Sequence, residues 1–219
     1  MRVITKLAIT VKKLNVHSAL AFAGIAGPLI LIITDLTAGF SNPDYNLVRD
    51  SISSLALTDA GWVQSIGFLA IGLLVEIFAA GLLFNIRDNR GFHLSIACLV
   101  VMGFGLLLLG AFRTDPVSAP DTTEGIIHNI AATSVFWLFP FTSLLIAPAL
   151  KHDWHWESLF KYTVITGSLG FILVIMVGVL DDTSSWFGLA ERLLVANVVI
   201  WVLIMGYKLL HISVTRVRN

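Results

Sequence analysis

Six runs of apolar residues, each long enough to cross a bilayer as a helix, constrain this chain more than anything else in it. They lie at about 17–39, 63–86, 93–112, 127–150, 160–180 and 187–209. A spanning helix needs roughly 20 apolar residues for a hydrocarbon core of about 30 Å. None of the runs alternates with period two over its length, so none reads as a strand. In hydrocarbon every backbone N–H and C=O needs an internal partner, and the helix supplies one within the segment. With 57% hydrophobic and 13% charged residues, the chain carries about half the charge of a soluble domain. The expectation is a single all-α, polytopic membrane domain over residues 1–219, its six transmembrane helices arranged as three hairpins.

Charge placement predicts the orientation. The termini and the second and fourth loops hold Arg2, Lys6, Lys12, Lys13, Arg87, Arg90, Lys151, Lys161, Lys208, Arg216 and Arg218. The other three loops and their flanking helix ends hold Arg49, Arg113 and Arg192, and are otherwise acidic, with Asp35, Asp44, Asp50, Asp59, Asp115, Asp121, Glu124, Asp181, Asp182 and Glu191. The positive-inside rule then puts both termini in the cytoplasm of a plasma or inner-membrane protein. The basic start, MRVITKLAITVKKLN, has no small-residue cleavage site and reads as a retained leader. The formal net charge of zero argues against a nucleic-acid partner. The lone Cys98 excludes an intrachain disulfide. Trp62, Trp154, Trp156 and Trp186 fall near the expected membrane interfaces.

The first outer loop, residues 42–62, sits between two long apolar runs and is too polar to cross a bilayer itself. Within 45–57, Val48, Ile52 and Leu55 share one helical face while Arg49, Asp50 and Ser53 share another. This predicts a short interfacial helix, with Asn46 as its N-cap.

The groups able to carry chemistry converge on that side. Asp35 lies about 27 Å along the first span at 1.5 Å per residue. Arg113 ends the third span, His128 opens the fourth, and Glu191 and Arg192 stand in the first turns of the sixth. Ionisable groups at that depth are costly unless paired or wetted, so they should face the bundle interior or a cavity. His128 with Asp50 and Asp115 forms an acid–base set. Arg49, Arg113 and Arg192, with Ser53 and Glu191, form a set for an anionic or polar headgroup. Ser51, Ser53 and Ser54 are potential nucleophiles for His128, though no GxSxG elbow is present. A histidine among carboxylates also suits a divalent metal, but no HxxxH, HExxH or CxxC spacing supports one. Haem would need paired histidines within the spans, and these are missing. Arginine–acid neighbours also commonly just pin loops. Glu76, in the inner half of the second span, stands apart and fits either a buried pair or a proton path.

NPDYNLVRDSISSLA in the first loop, FRTDP followed by GIIHNIAA, and GLAERLL opening the last span together resemble the domain-of-unknown-function 998 family of prokaryotic six-helix membrane proteins. The resemblance covers nearly the whole chain. Its matching positions here are Tyr45, Arg49, Asp50, Ile52, Ser53, Leu55, Phe112, Asp115, Pro116, His128, Glu191 and Arg192; Ser54 and Ala56 depart from the usual pattern. The family implies topology and positions but no reaction. The plan is also similar to the Frag1 and DRAM proteins. Alkaline-ceramidase-like hydrolases use three histidines where this chain offers one.

The functional expectation is a site on the outer side for a lipid headgroup or other amphiphile, open to hydrolase or transferase chemistry. The alternatives are a non-enzymatic accessory or assembly subunit and a small transporter. Cofactor, metal content and protein partners stay open.

Overall fold

The computed structural model describes residues 16–216 apart from 88, 118 and 181–183, and leaves the side chain of Arg216 aside. Arg2, Lys6, Lys12, Lys13, Arg218, Asp181 and Asp182 therefore lie outside the described residues. Among the described residues there is no strand. Six long helices carry the fold: α1 (Val16–Phe40), α2 (Gly61–Asn85), α3 (Phe92–Ala111), α4 (Thr123–His152), α5 (Phe160–Val179) and α6 (Phe187–Arg216). All six are long and apolar enough to cross a membrane. The chain is thus an all-helical, multi-pass membrane protein.

Each helix packs on the next, and α6 returns to α1, which closes a ring. The short connections make neighbours antiparallel. The loops after α1, α3 and α5 gather at one end, here called the Ser53 end. The other two loops gather at the opposite, Asp153 end.

Small residues set the closest approaches. A Cβ on Gly206 of α6 would meet the backbone of Gly24 of α1 at 2.8 Å, so these two helices touch there backbone to backbone. The interior is apolar and continuous, with Phe78, Leu99, Met102, Phe139 and Leu209 fully buried. Trp201 joins three helices: its ring meets Phe139 of α4 edge-on at 5.9 Å, and its N–H donates to Thr163 Oγ1 of α5 at 3.2 Å. A buried indole needs such an acceptor. Large apolar side chains such as Phe22, Ile33, Leu73, Phe104, Ile165 and Ile172 are exposed around the ring, as lipid-facing residues are.

Two expectations change. The helix expected across 45–57 is a turn followed by a short 3-10 helix, Ser53–Leu57. Side chains compete with the helical ladder here. Asn46 Oδ1 accepts from the Val48 and Arg49 amides at 2.9 and 3.2 Å, and Asp50 Oδ2 accepts from the Asn46 amide at 2.8 Å. Asn46 does cap, but it caps a turn. Trp156, expected at an interface, is buried at the Asp153 end and donates its N–H to the Asn85 carbonyl at 3.1 Å; Trp62, Trp154 and Trp186 are exposed.

Candidate functional site

The Ser53 end is built by folding two loops onto two helix starts. The turn at 47–50 sits on the start of α6: the Gly188 amide donates to the Arg49 carbonyl at 3.1 Å and the Leu189 amide to the Val48 carbonyl at 2.9 Å. A side chain at 188 would strike the Asp50 backbone, so glycine is required there. Glu191, 6% exposed, takes the Ile52 amide on Oε2 at 2.6 Å. Arg192 Nη1 donates to the carbonyls of Leu47 and Asp50, both at 2.9 Å, and to Gly188 at 3.2 Å. Arg192 Nη2 donates to the Tyr45 hydroxyl and lies 3.6 Å from Asp35 Oδ1. The Tyr45 hydroxyl in turn donates to the Ser51 carbonyl at 2.7 Å. Burial pushes the Tyr45 phenol up to about 12, against the opposing pull of Arg192, so it stays a neutral donor.

The second loop is folded back by Asp115. Its carboxylate accepts from the Thr122 amide and hydroxyl, both at 2.8 Å, while Thr122 Oγ1 caps α4 by accepting from the Gly125 amide at 3.0 Å. Glu124 Oε1 takes the Arg113 amide at 2.8 Å. This fold-back places the Phe112 carbonyl beside His128, which is 2% exposed. His128 Nδ1 lies 2.8 Å from that carbonyl, and Nε2 lies 2.9 Å from Ser53 Oγ. A carbonyl only accepts, so Nδ1 carries a proton; in the neutral ring Nε2 then accepts from the serine.

Below this end lies a cavity of about 340 Å³, within the range that holds small ligands. Asp35, Ser53, Glu191 and Arg192 line its polar end. Leu31, Ile71, Met102, Val135, Phe136 and Val199 are among the walls below. The α6 lining runs from Glu191 to Val202, about 16 Å at 1.5 Å per residue. Ile32, Leu36 and Ile200 line the cavity and also face outward, 39, 41 and 49% exposed. They belong to α1 and α6, the pair that meets closely at Gly24 and Gly206 near the other end.

The expected site residues therefore separate. Ser53, Glu191 and Arg192 come together at the cavity, with His128 bonded to Ser53. Asp50 does not join them: its carboxylate chelates Arg49, with Nε to Oδ1 at 2.7 Å and Nη2 to Oδ2 at 3.1 Å. That hydrogen-bonded pairing holds the Asp50 carboxyl below its ordinary range. Asp115 is spent on Thr122, and the Arg113 residue is exposed. Asp35, expected at this level but given no role, and Tyr45, named only as a family-motif position, join the site. The signal for Asp35 was an acid within an otherwise apolar span; for Tyr45 it was only its place in the loop motif. Ser51 and Ser54 are spent on each other: Ser51 Oγ accepts from the Ser54 amide at 3.1 Å, and Ser54 Oγ donates to the Ser51 carbonyl at 2.7 Å. Among the described residues, no three His, Cys, Asp or Glu side chains converge as metal ligands would.

Asp35 Oδ1 and Arg192 Nε are buried without a hydrogen-bond partner, as are both amide atoms of Gln64 in the first turn of α2. Such atoms are rare in folded proteins, and each calls for an explanation.

Fold and site together define a multi-pass helical membrane protein with a polar-ended cavity inside its bundle. The chain belongs to the protein family of unknown function DUF998, whose family model matches residues 25–208. No curated protein and no solved structure matches it.

Proposed function

We propose that the protein binds a bilayer amphiphile, with the polar headgroup at Asp35, Ser53, Glu191 and Arg192 and an apolar chain in the cavity below. One observation carries this reading: the cavity is polar at one end and apolar along the rest. Asp35 Oδ1 and Arg192 Nε, both without a hydrogen bond, support it, because a headgroup carrying both a donor and an acceptor would complete them. The outward-facing Ile32, Leu36 and Ile200 support entry from the bilayer, between α1 and α6. An accessory subunit whose charges merely pin loops accounts for Arg49 and Asp50 but not for the cavity. The transporter reading needs a polar path to Glu76; that residue packs against Gly103 of α3 and does not line the cavity.

The test is native mass spectrometry of protein extracted in mild detergent, wild type beside Ala132→Trp, which fills the cavity wall. Wild type should carry an amphiphile that the variant lacks, with both chains folded by thermal melt. Wild type free of any amphiphile would sink the reading.

The Ser53 end faces away from the cytoplasm in this proposal. Among the described residues the other end holds Arg87, Arg90, Lys151, Lys161 and Lys208, and the Ser53 end holds Arg49, Arg113 and Arg192. The host membrane is then the plasma or inner membrane, with both termini cytoplasmic. Asp59→Cys in a Cys98→Ala background should react with an impermeant maleimide in intact cells. Protection of that cysteine until the cells are lysed would reverse the orientation.

A further inference from the structure

The geometry points to Ser53 as an acyl-accepting nucleophile, activated by His128, that cleaves an ester of the amphiphile held in the cavity. The inference rests on the binding reading above and extends it from binding to chemistry.

Three observations carry it. First, of the three neighbouring serines, Ser53 alone lines the cavity and bonds His128, with Oγ at 2.9 Å from Nε2. That is hydrogen-bond reach for a nucleophile and its base. Second, the Phe112 carbonyl fixes the proton on Nδ1 and leaves the Nε2 lone pair for the serine. In hydrolytic triads a carboxylate holds the far nitrogen of the histidine; here a backbone carbonyl does. Third, Arg192 lines the same cavity and keeps Nε without an acceptor, a donor available to an oxygen that gains charge.

The step balances with groups on the page and water. Ser53 Oγ attacks the ester carbonyl carbon, and its proton passes to His128 Nε2. The C–O bond to the leaving alcohol breaks, and the alcohol departs with the proton from His128. The acyl group remains on Ser53 as an ester. Water, deprotonated by His128, then attacks that ester; the carboxylic acid leaves and Ser53 recovers its proton.

A purely structural Ser53–His128 bond, pinning the first loop to α4, would share the distance but not the reactivity. Purified protein is incubated with an alkyl fluorophosphonate, which phosphonylates activated serines, and the adduct is located by peptide mass spectrometry. The same preparation is examined for retained amphiphile by native mass spectrometry. The expected result is one adduct, on Ser53, absent in Ser53→Ala and formed at least about 100-fold more slowly in His128→Gln, the loss typical of a missing general base. Ser51→Ala, with its hydroxyl already spent on the Ser54 amide, should label like wild type. Protein that retains amphiphile but gives no Ser53 adduct would overturn the inference and leave the binding reading standing. Labelling of His128→Gln at the wild-type rate would overturn it too. Absence of both amphiphile and adduct would remove both.

Discussion

The two ends of the bundle handle buried charged groups in opposite ways. At the Asp153 end, both oxygens of the 2%-exposed Asp153 carboxylate are bonded. Oδ2 accepts from the Arg87 amide at 3.1 Å, and Oδ1 accepts from the His155 amide at 3.0 Å with the His155 ring 3.4 Å away. Trp156 and Asn85 close the same end. At the Ser53 end, Arg192 and Glu191 also tie a loop to a helix start. There, however, Asp35 Oδ1, Arg192 Nε and the Gln64 amide are buried without a hydrogen bond, and a cavity opens directly below. A carboxylate with both oxygens bonded to loop amides is a structural device. Charged groups with an atom left without a hydrogen bond beside an apolar cavity are what the proposed binding site rests on.

If that contrast is right, damage at the two ends will look alike in stability and different in ligand binding. The largest effect is expected at Arg192. Arg192→Ala removes donors to three carbonyls and to Tyr45, and leaves Asp35 without a counter-charge. Breaking a buried pair from one side costs about 3 kcal/mol or more. Thermal unfolding in detergent should show the loss, and native mass spectrometry should show the amphiphile gone. Asp153→Ala is expected to cost about 2 kcal/mol, because the Arg87 and His155 amides lose their acceptor. It should retain amphiphile in the fraction that stays folded. Loss of amphiphile from folded Asp153→Ala would break the comparison, and so would full retention by folded Arg192→Ala.

The contrast was half legible in the sequence, for physical reasons. Helix positions follow from the length of apolar runs, which hydrocarbon enforces locally, so each expected span is one helix here. The level at which Asp35, His128, Glu191 and Arg192 meet follows from counting residues along those helices. What the count cannot give is which short-range partner each polar group takes. Asp50 has Arg49 next to it and Asp115 has Thr122 seven residues on, and both carboxylates are consumed there before they reach His128. As candidate nucleophiles the three serines are alike in sequence, and only the fold separates them, by turning Ser51 and Ser54 back on each other. The Phe112 carbonyl leaves no trace in side-chain chemistry, so nothing in the residue types announces the group that orients His128.

The smallest expected effect concerns the exposed Arg49–Asp50 pair, and it separates pinning from binding within the Ser53 end itself. The Asp50 carboxyl is held below its ordinary value of 3.8, chiefly by its hydrogen bond to Arg49. A depressed carboxyl stabilises the fold at pH above its unfolded value, and the contribution fades as the pH falls through the folded one. Wild type should therefore lose slightly more thermal stability than Asp50→Asn between about pH 5 and pH 2. Near neutral pH the two should melt almost together, since an exposed ion pair contributes little and salt screens it further. Amphiphile retention should be equal in both, because Asp50 does not line the cavity. A loss of retention in Asp50→Asn at neutral pH, with stability unchanged, would move the headgroup contact from Arg192 and Asp35 out onto the loop.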